Sequence, residues 1–120
     1  MSNKLEFLKK YGVDVEKGIE NTIDEETYNE ILEDYFNELT KTMNDLANYR
    51  ANNDMTNYAI TVHALKSNSR TLGFMSFGER CYQHEMESKN NNIQFINADF
   101  ENLLNNAKNV YAIIKAYKSL

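Results

Sequence analysis

No proline occurs anywhere in these 120 residues, and only four glycines do. Proline breaks helices and glycine weakens them, so a chain this poor in both can run long helices and lacks the turns a sheet protein needs. Apolar residues recur at threes and fours along most of the length, which is the period of a helix with one buried face. The chain is expected to be all-α.

Taken in order, residues 2–11 form a short amphipathic helix with Ser2 as its cap and Leu5, Leu8 and Tyr11 on one side, ended by Gly12. Asp14 can cap a second short turn carrying Val15 and Ile19. Asp24, Glu25 and Glu26 then place carboxylates at a strong helix start. That helix reaches about Arg50, with Tyr28, Leu32, Tyr35, Leu39, Met43 and Leu46 as its apolar stripe. Its other faces hold eight acids against Lys41 and Arg50, the pattern of a solvated surface. A fourth helical segment spans about Met75 to Lys89, with Phe74, Phe77, Cys81 and His84 in one phase, so Cys81 and His84 should face inward. Asn90, Asn91 and Asn92 make a loop, and a last helix runs from about Ile93 to Lys118.

Between these lies the stretch from Asp54 to Gly73. Asp54 can cap it, and Gly73 can stop it in a left-handed conformation. Tyr58, Val62, Leu65, Ser69 and Leu72 fall on one side, while His63, Lys66, Ser67 and Arg70 fall on the other. A histidine facing away from the apolar stripe, beside a lysine and an arginine, is not placed like a core histidine. From His63 to Arg80 there are three basic residues, Lys66, Arg70 and Arg80, and one acid, Glu79. A basic patch of that kind on an acidic protein suits an anionic group.

Four long helices with short connections predict an antiparallel up-down four-helix bundle over 24–120, with one or two short capping helices over 1–23, in a single domain. A net charge of −5 argues against general nucleic-acid binding. No apolar run approaches the ~20 residues needed to cross a bilayer, and no secretory signal is visible, so a cytoplasmic protein without a membrane partner is expected. The lone Cys81 cannot form an intramolecular disulfide. Neither histidine follows a Glu by three residues, and His84-Glu85-Met86-Glu87-Ser88 lacks a second histidine, so no metal site is expected. There is no Gly-rich phosphate loop, and ATP-dependent self-phosphorylation is not expected.

His63-Ala64-Leu65-Lys66-Ser67-Asn68-Ser69-Arg70-Thr71-Leu72-Gly73 resembles the motif of histidine phosphotransfer (HPt) domains, roughly His-x-Leu-Lys-Gly-Ser-Ser-x-x-Leu-Gly. The His, Leu65, Lys66, Ser69, Leu72 and Gly73 match; Ser67 stands where the family has Gly, and Asn68 where it has a small residue. Gly12-Val13-Asp14, Gly18-Ile19 and Tyr28 are also similar to the lead-in of many bacterial members. The resemblance implies the same bundle. It further implies a phosphocarrier rather than an enzyme with kinase activity, in which His63 relays a phosphoryl group between receiver-domain aspartates of a multistep two-component phosphorelay. Lys66 would steady the phosphoryl group and Ser67 would line the docking face, with Arg70 a second positive group and Ile60 and Phe74 part of the surrounding patch. Partners would be receiver domains of response regulators or hybrid kinases, which supply the magnesium. The chain itself would need no cofactor and act as a monomer. Members often place a polar side chain on the next helix near the histidine; Glu85 lies at the matching distance and Gln83 two residues earlier, but a carboxylate beside phosphate is unhelpful and neither is assigned. The alternative is a non-catalytic helical adaptor that binds a signalling partner without being phosphorylated.

Overall fold

Six helices make up the computed structural model, which describes residues 2–120: α1 (Asn3–Lys10), α2 (Val15–Thr22), α3 (Glu25–Ala51), α4 (Met55–Thr71), α5 (Met75–Lys89) and α6 (Ile93–Lys118). No strand occurs among the described residues. Four of the helices start on an acceptor side chain that takes up an orphan N–H. Asp14, Asp24, Asp54 and Asn92 accept from the backbone of Lys17, Thr27, Asn57 and Phe95 at 2.7–3.2 Å. Ser2 precedes α1, but its hydroxyl makes no capping bond, contrary to the expectation from sequence.

The three connections of the bundle close in the same way. Asn53, Gly73 and Asn91 each hold positive φ, and the N–H of the next residue reaches back to a carbonyl in the preceding helix. Those bonds run from Asp54 to Tyr49, from Phe74 to Ser69 and from Asn92 to Glu87, at 2.8–2.9 Å. This is the Schellman closure, which glycine and asparagine tolerate best because it needs a left-handed residue. Turns this short force successive helices to run antiparallel. α3 packs on α4, α4 on α5, α5 on α6, and α6 returns to α3, closing a four-helix bundle. Its long axis of 44 Å is set by α3 and α6, about 40 Å each at about 1.5 Å per residue.

The apolar stripes meet in one core containing Tyr28, Leu32 and Leu46 of α3, Tyr58 and Val62 of α4, Phe77 and Cys81 of α5, and Ile96, Leu103 and Ile114 of α6. Each large apolar side chain so buried contributes about 1.5–3 kcal/mol relative to exposure. Burial pushes the Cys81 thiol up to about 12, so it behaves as a small hydrophobe.

α1 and α2 cap the end of the bundle where α4 turns into α5. Asp14 donates its N–H to the Gly73 carbonyl at 2.9 Å, and Tyr28 donates its hydroxyl to the Leu72 carbonyl at 2.7 Å. Gly18 lies against the Tyr28 ring, where a Cβ would come within 2.5 Å. Asp14, Gly18 and Tyr28 of the lead-in therefore converge on one corner, the end of α4, whereas Gly12 faces open space. Nearby, Gly78 lets α5 approach α4; a Cβ there would sit 2.8 Å from Cγ of Arg70. That close pair of helices carries the candidate site.

Candidate functional site

α4 turns in the phase expected from sequence. Val62, Leu65 and Ser69 are buried, whereas His63, Ser67 and Asn68 are exposed and Lys66 and Arg70 intermediate. Ser69 belongs to the inner face because its hydroxyl meets the Tyr35 hydroxyl at 2.7 Å. The His63 side chain is 57% exposed. It is not free, however. Nδ1 lies 2.7 Å from Oε2 of Glu85 on α5, a residue only 2% exposed.

Glu85 is the hub of the site. Its Oε1 accepts from Lys66 Nζ at 2.6 Å, and Oε2 accepts from Lys89 Nζ at 2.7 Å as well as meeting His63. Burial works to raise the Glu85 carboxyl, but hydrogen bonds from Lys66, Lys89 and His63 outweigh it and bring it down to about 2. An ionised carboxylate only accepts, so the imidazole must donate, and Nδ1 carries the proton of the neutral ring. Lys66 Nζ is also 3.4 Å from Nδ1, but two donors cannot bond each other, so that approach is proximity alone. With Nδ1 engaged, Nε2 keeps its lone pair and has no hydrogen-bond partner among the described residues. The site thus presents a nucleophilic nitrogen outward on a ring fixed from behind.

The other expected site residues separate. Ile60, one turn before His63, is 64% exposed and edges a groove between α3 and α4 with Ile31, Thr61 and Ala64. Ser67 is exposed one turn beyond His63. Phe74 is 5% exposed and stacks on Tyr35 at 5.8 Å, so it forms core rather than docking patch. It follows the αL residue Gly73, and the turn swings it under α4. The basic patch is also smaller than its sequence suggests. Arg80 points to α6 and pairs with Asp99 at 2.9 Å, and Arg70 pairs with Glu79 at 3.3 Å. Lys66 and Arg70 instead flank the ring of Tyr82, at 5.5 and 5.3 Å.

Glu85 is the residue that sequence reasoning set aside. The objection to a carboxylate beside phosphate loses force here, because Glu85 meets the ring at Nδ1 and two lysines neutralise it. The available signal was local: Glu85 and Lys89 stand four apart with the acid first, the favourable helical order for an ion pair. Gln83 is exposed on another face of α5 and takes no part.

His84 has the opposite surroundings. Fully buried, it accepts from the Tyr58 hydroxyl at Nδ1 (2.8 Å) and donates from Nε2 to Asp99 (2.8 Å). Burial disfavours its cation and outweighs the neighbouring Asp99 carboxylate, so it titrates below its ordinary range. It is a satisfied interior histidine.

The family model described as Hpt domain matches residues 30–110, a span that contains the whole site and the helices presenting it. Among curated proteins and among solved structures, none matches the chain.

Proposed function

The chain belongs to the Hpt domain family, and from that premise we propose that His63 takes a phosphoryl group from one receiver-domain aspartate and hands it to another. Histidine phosphotransfer in two-component phosphorelays is the family's work, and its members are phosphocarriers rather than kinases. The observation that most supports the assignment is the pairing of His63 Nδ1 with Glu85 on a half-exposed ring.

The Nε2 lone pair attacks the phosphorus of the partner's acyl phosphate. The bond from phosphorus to the aspartyl oxygen breaks, and the carboxylate leaves with its electron pair. Little covalent assistance is needed for such a transfer, so positioning and charge carry it. Glu85 positions the ring. Lys66 has three donors and uses one on Glu85, leaving others for phosphoryl oxygens. Ser67 keeps the approach to the ring low, and Ile60 offers apolar contact beside it. The magnesium belongs to the receiver.

The test is transfer from a panel of prephosphorylated receiver domains to wild type and to His63→Gln. Acid-labile, base-stable label on wild type alone is the expected result. Receiver binding without label would replace the carrier by an adaptor, and neither binding nor label would remove both readings.

A further inference from the structure

We infer that Glu85 keeps the proton on Nδ1 after His63 is phosphorylated, so that the chain holds its phosphoryl group as a phosphoimidazolium, the form that releases it readily. The inference rests on His63 being the phosphoacceptor and concerns what sets the lifetime of the product.

When Nε2 attacks phosphorus, the ring gains a bond at one nitrogen and already bears a proton at the other, so it becomes a cation. A ring free in water would pass that proton to solvent. Here Nδ1 faces the carboxylate of Glu85 at 2.7 Å, and a carboxylate that only accepts favours the protonated ring. The charged groups around the ring agree. From α4 comes Lys66, and from α5 come Glu85 and Lys89. Lys66 opposes a ring cation, but its Nζ sits closer to Glu85 (2.6 Å) than to Nδ1 (3.4 Å). With a dianionic phosphoryl group and a protonated ring, these four side chains bear no net charge. Removing the proton leaves one uncompensated negative charge beside a carboxylate that is 2% exposed.

Protonation decides how the group departs. An incoming oxygen, from a receiver aspartate or from water, attacks phosphorus; the bond to Nε2 breaks, and its electron pair returns to the ring. If Nδ1 carries a proton, the leaving group is neutral imidazole. If it does not, the leaving group is imidazolate, a far stronger base and a poorer one to expel. A glutamine at position 85 would remove this bias, since its amide can donate to an unprotonated Nδ1. Glu85 is therefore a positioning residue that also fixes a proton, making this carrier quick to discharge.

The protein is phosphorylated with phosphoramidate, a small donor that needs no receiver, and the decay of phosphohistidine is followed against pH for wild type and Glu85→Gln. Decay in the variant is expected to be roughly tenfold slower near pH 8, because less of its phosphohistidine keeps the Nδ1 proton there. Its rate should also begin to fall at a lower pH than that of wild type. The ¹⁵N shift of Nδ1 in phosphorylated wild type supplies a test independent of any variant's folding, and it should report a protonated nitrogen near that pH. An unprotonated Nδ1, or identical decay profiles, overturns the inference while leaving the phosphoacceptor in place. Absence of phosphohistidine at His63 with both phosphoramidate and receivers overturns the reading beneath it.

Discussion

Ile23 and Gly73 both hold positive φ, at 83° and 93°, in contrasting surroundings. Ile23 joins α2 to α3 with its side chain 87% exposed, so no packing offsets a conformation that β-branched residues avoid. Such strain costs of order 1–3 kcal/mol, against roughly 0.5–1 kcal/mol for the greater freedom of glycine in the unfolded chain. Ile23→Gly is therefore expected to stabilise the protein by about 1 kcal/mol, seen as a higher urea midpoint; a lower midpoint would contradict the strain. At Gly73 the demand is absolute. A Cβ there would lie 2.3 Å from the Asp14 carbonyl oxygen, in addition to the left-handed backbone. Gly73→Ala should lose about 3 kcal/mol, combining the αL penalty with overpacking against main chain. A glycine just past the last apolar residue makes Gly73 legible as a helix stop, whereas nothing in Asn21-Thr22-Ile23-Asp24 announces a left-handed isoleucine. Ser67 carries a prediction of its own: Ser67→Gly should keep phosphoryl transfer and Ser67→Gln should block docking. Normal acceptance by the Gln variant would refute the clearance argument.

Among the helices, what was legible was whatever repeats along one strand of sequence. Periods of three and four located all four bundle helices to within a residue or two, and the caps Asp24 and Asp54 bear their bonds. Contacts between helices were not legible. Phe74 looks like a neighbour of His63 in sequence, but Gly73 ends the helical phase between them, and the ring is turned inward onto Tyr35. Arg80 reads as part of a basic patch until α6 brings Asp99 to it. Glu85 needed the α4–α5 crossing, set in part by Gly78, before its partners could be known. The same crossing builds the His84 cluster, in which one ring between α4, α5 and α6 joins Tyr58 to Asp99, and Asp99 in turn holds Arg80. His84→Ala would leave the buried Tyr58 hydroxyl without its partner and a cavity beside it, while Asp99 keeps Arg80 and Asn102, and is expected to destabilise by about 3 kcal/mol in chemical denaturation. His63→Gln, at a half-exposed ring, should cost far less. Equal losses from the two substitutions would contradict the separate roles given to them.

At the scale of the whole molecule, His84 and the carboxylates of Glu85 and Asp99 set how stability responds to pH. His84 titrates lower folded than unfolded, so the unfolded chain binds more protons and stability should begin to fall as pH drops below about 6.5. Glu85 is lowered from 4.5 to about 2, and Asp99 is lowered too. Their contributions are present above the unfolded values and disappear as pH falls towards the folded ones, so the decline should steepen below about pH 4.5. Urea midpoints at pH 7, 5.5 and 4 check both steps, and a midpoint unchanged between 7 and 4 would contradict them. No helix of the described residues is long and apolar enough to cross a membrane. The bundle is a rigid support for a single outward nitrogen, and the most direct measurement is to locate the phosphorus. Mass spectrometry and ³¹P–¹⁵N NMR of the receiver-phosphorylated chain should find one phosphohistidine, at His63, bonded through Nε2. Phosphorus on Nδ1, on His84, or on no histidine would contradict the account.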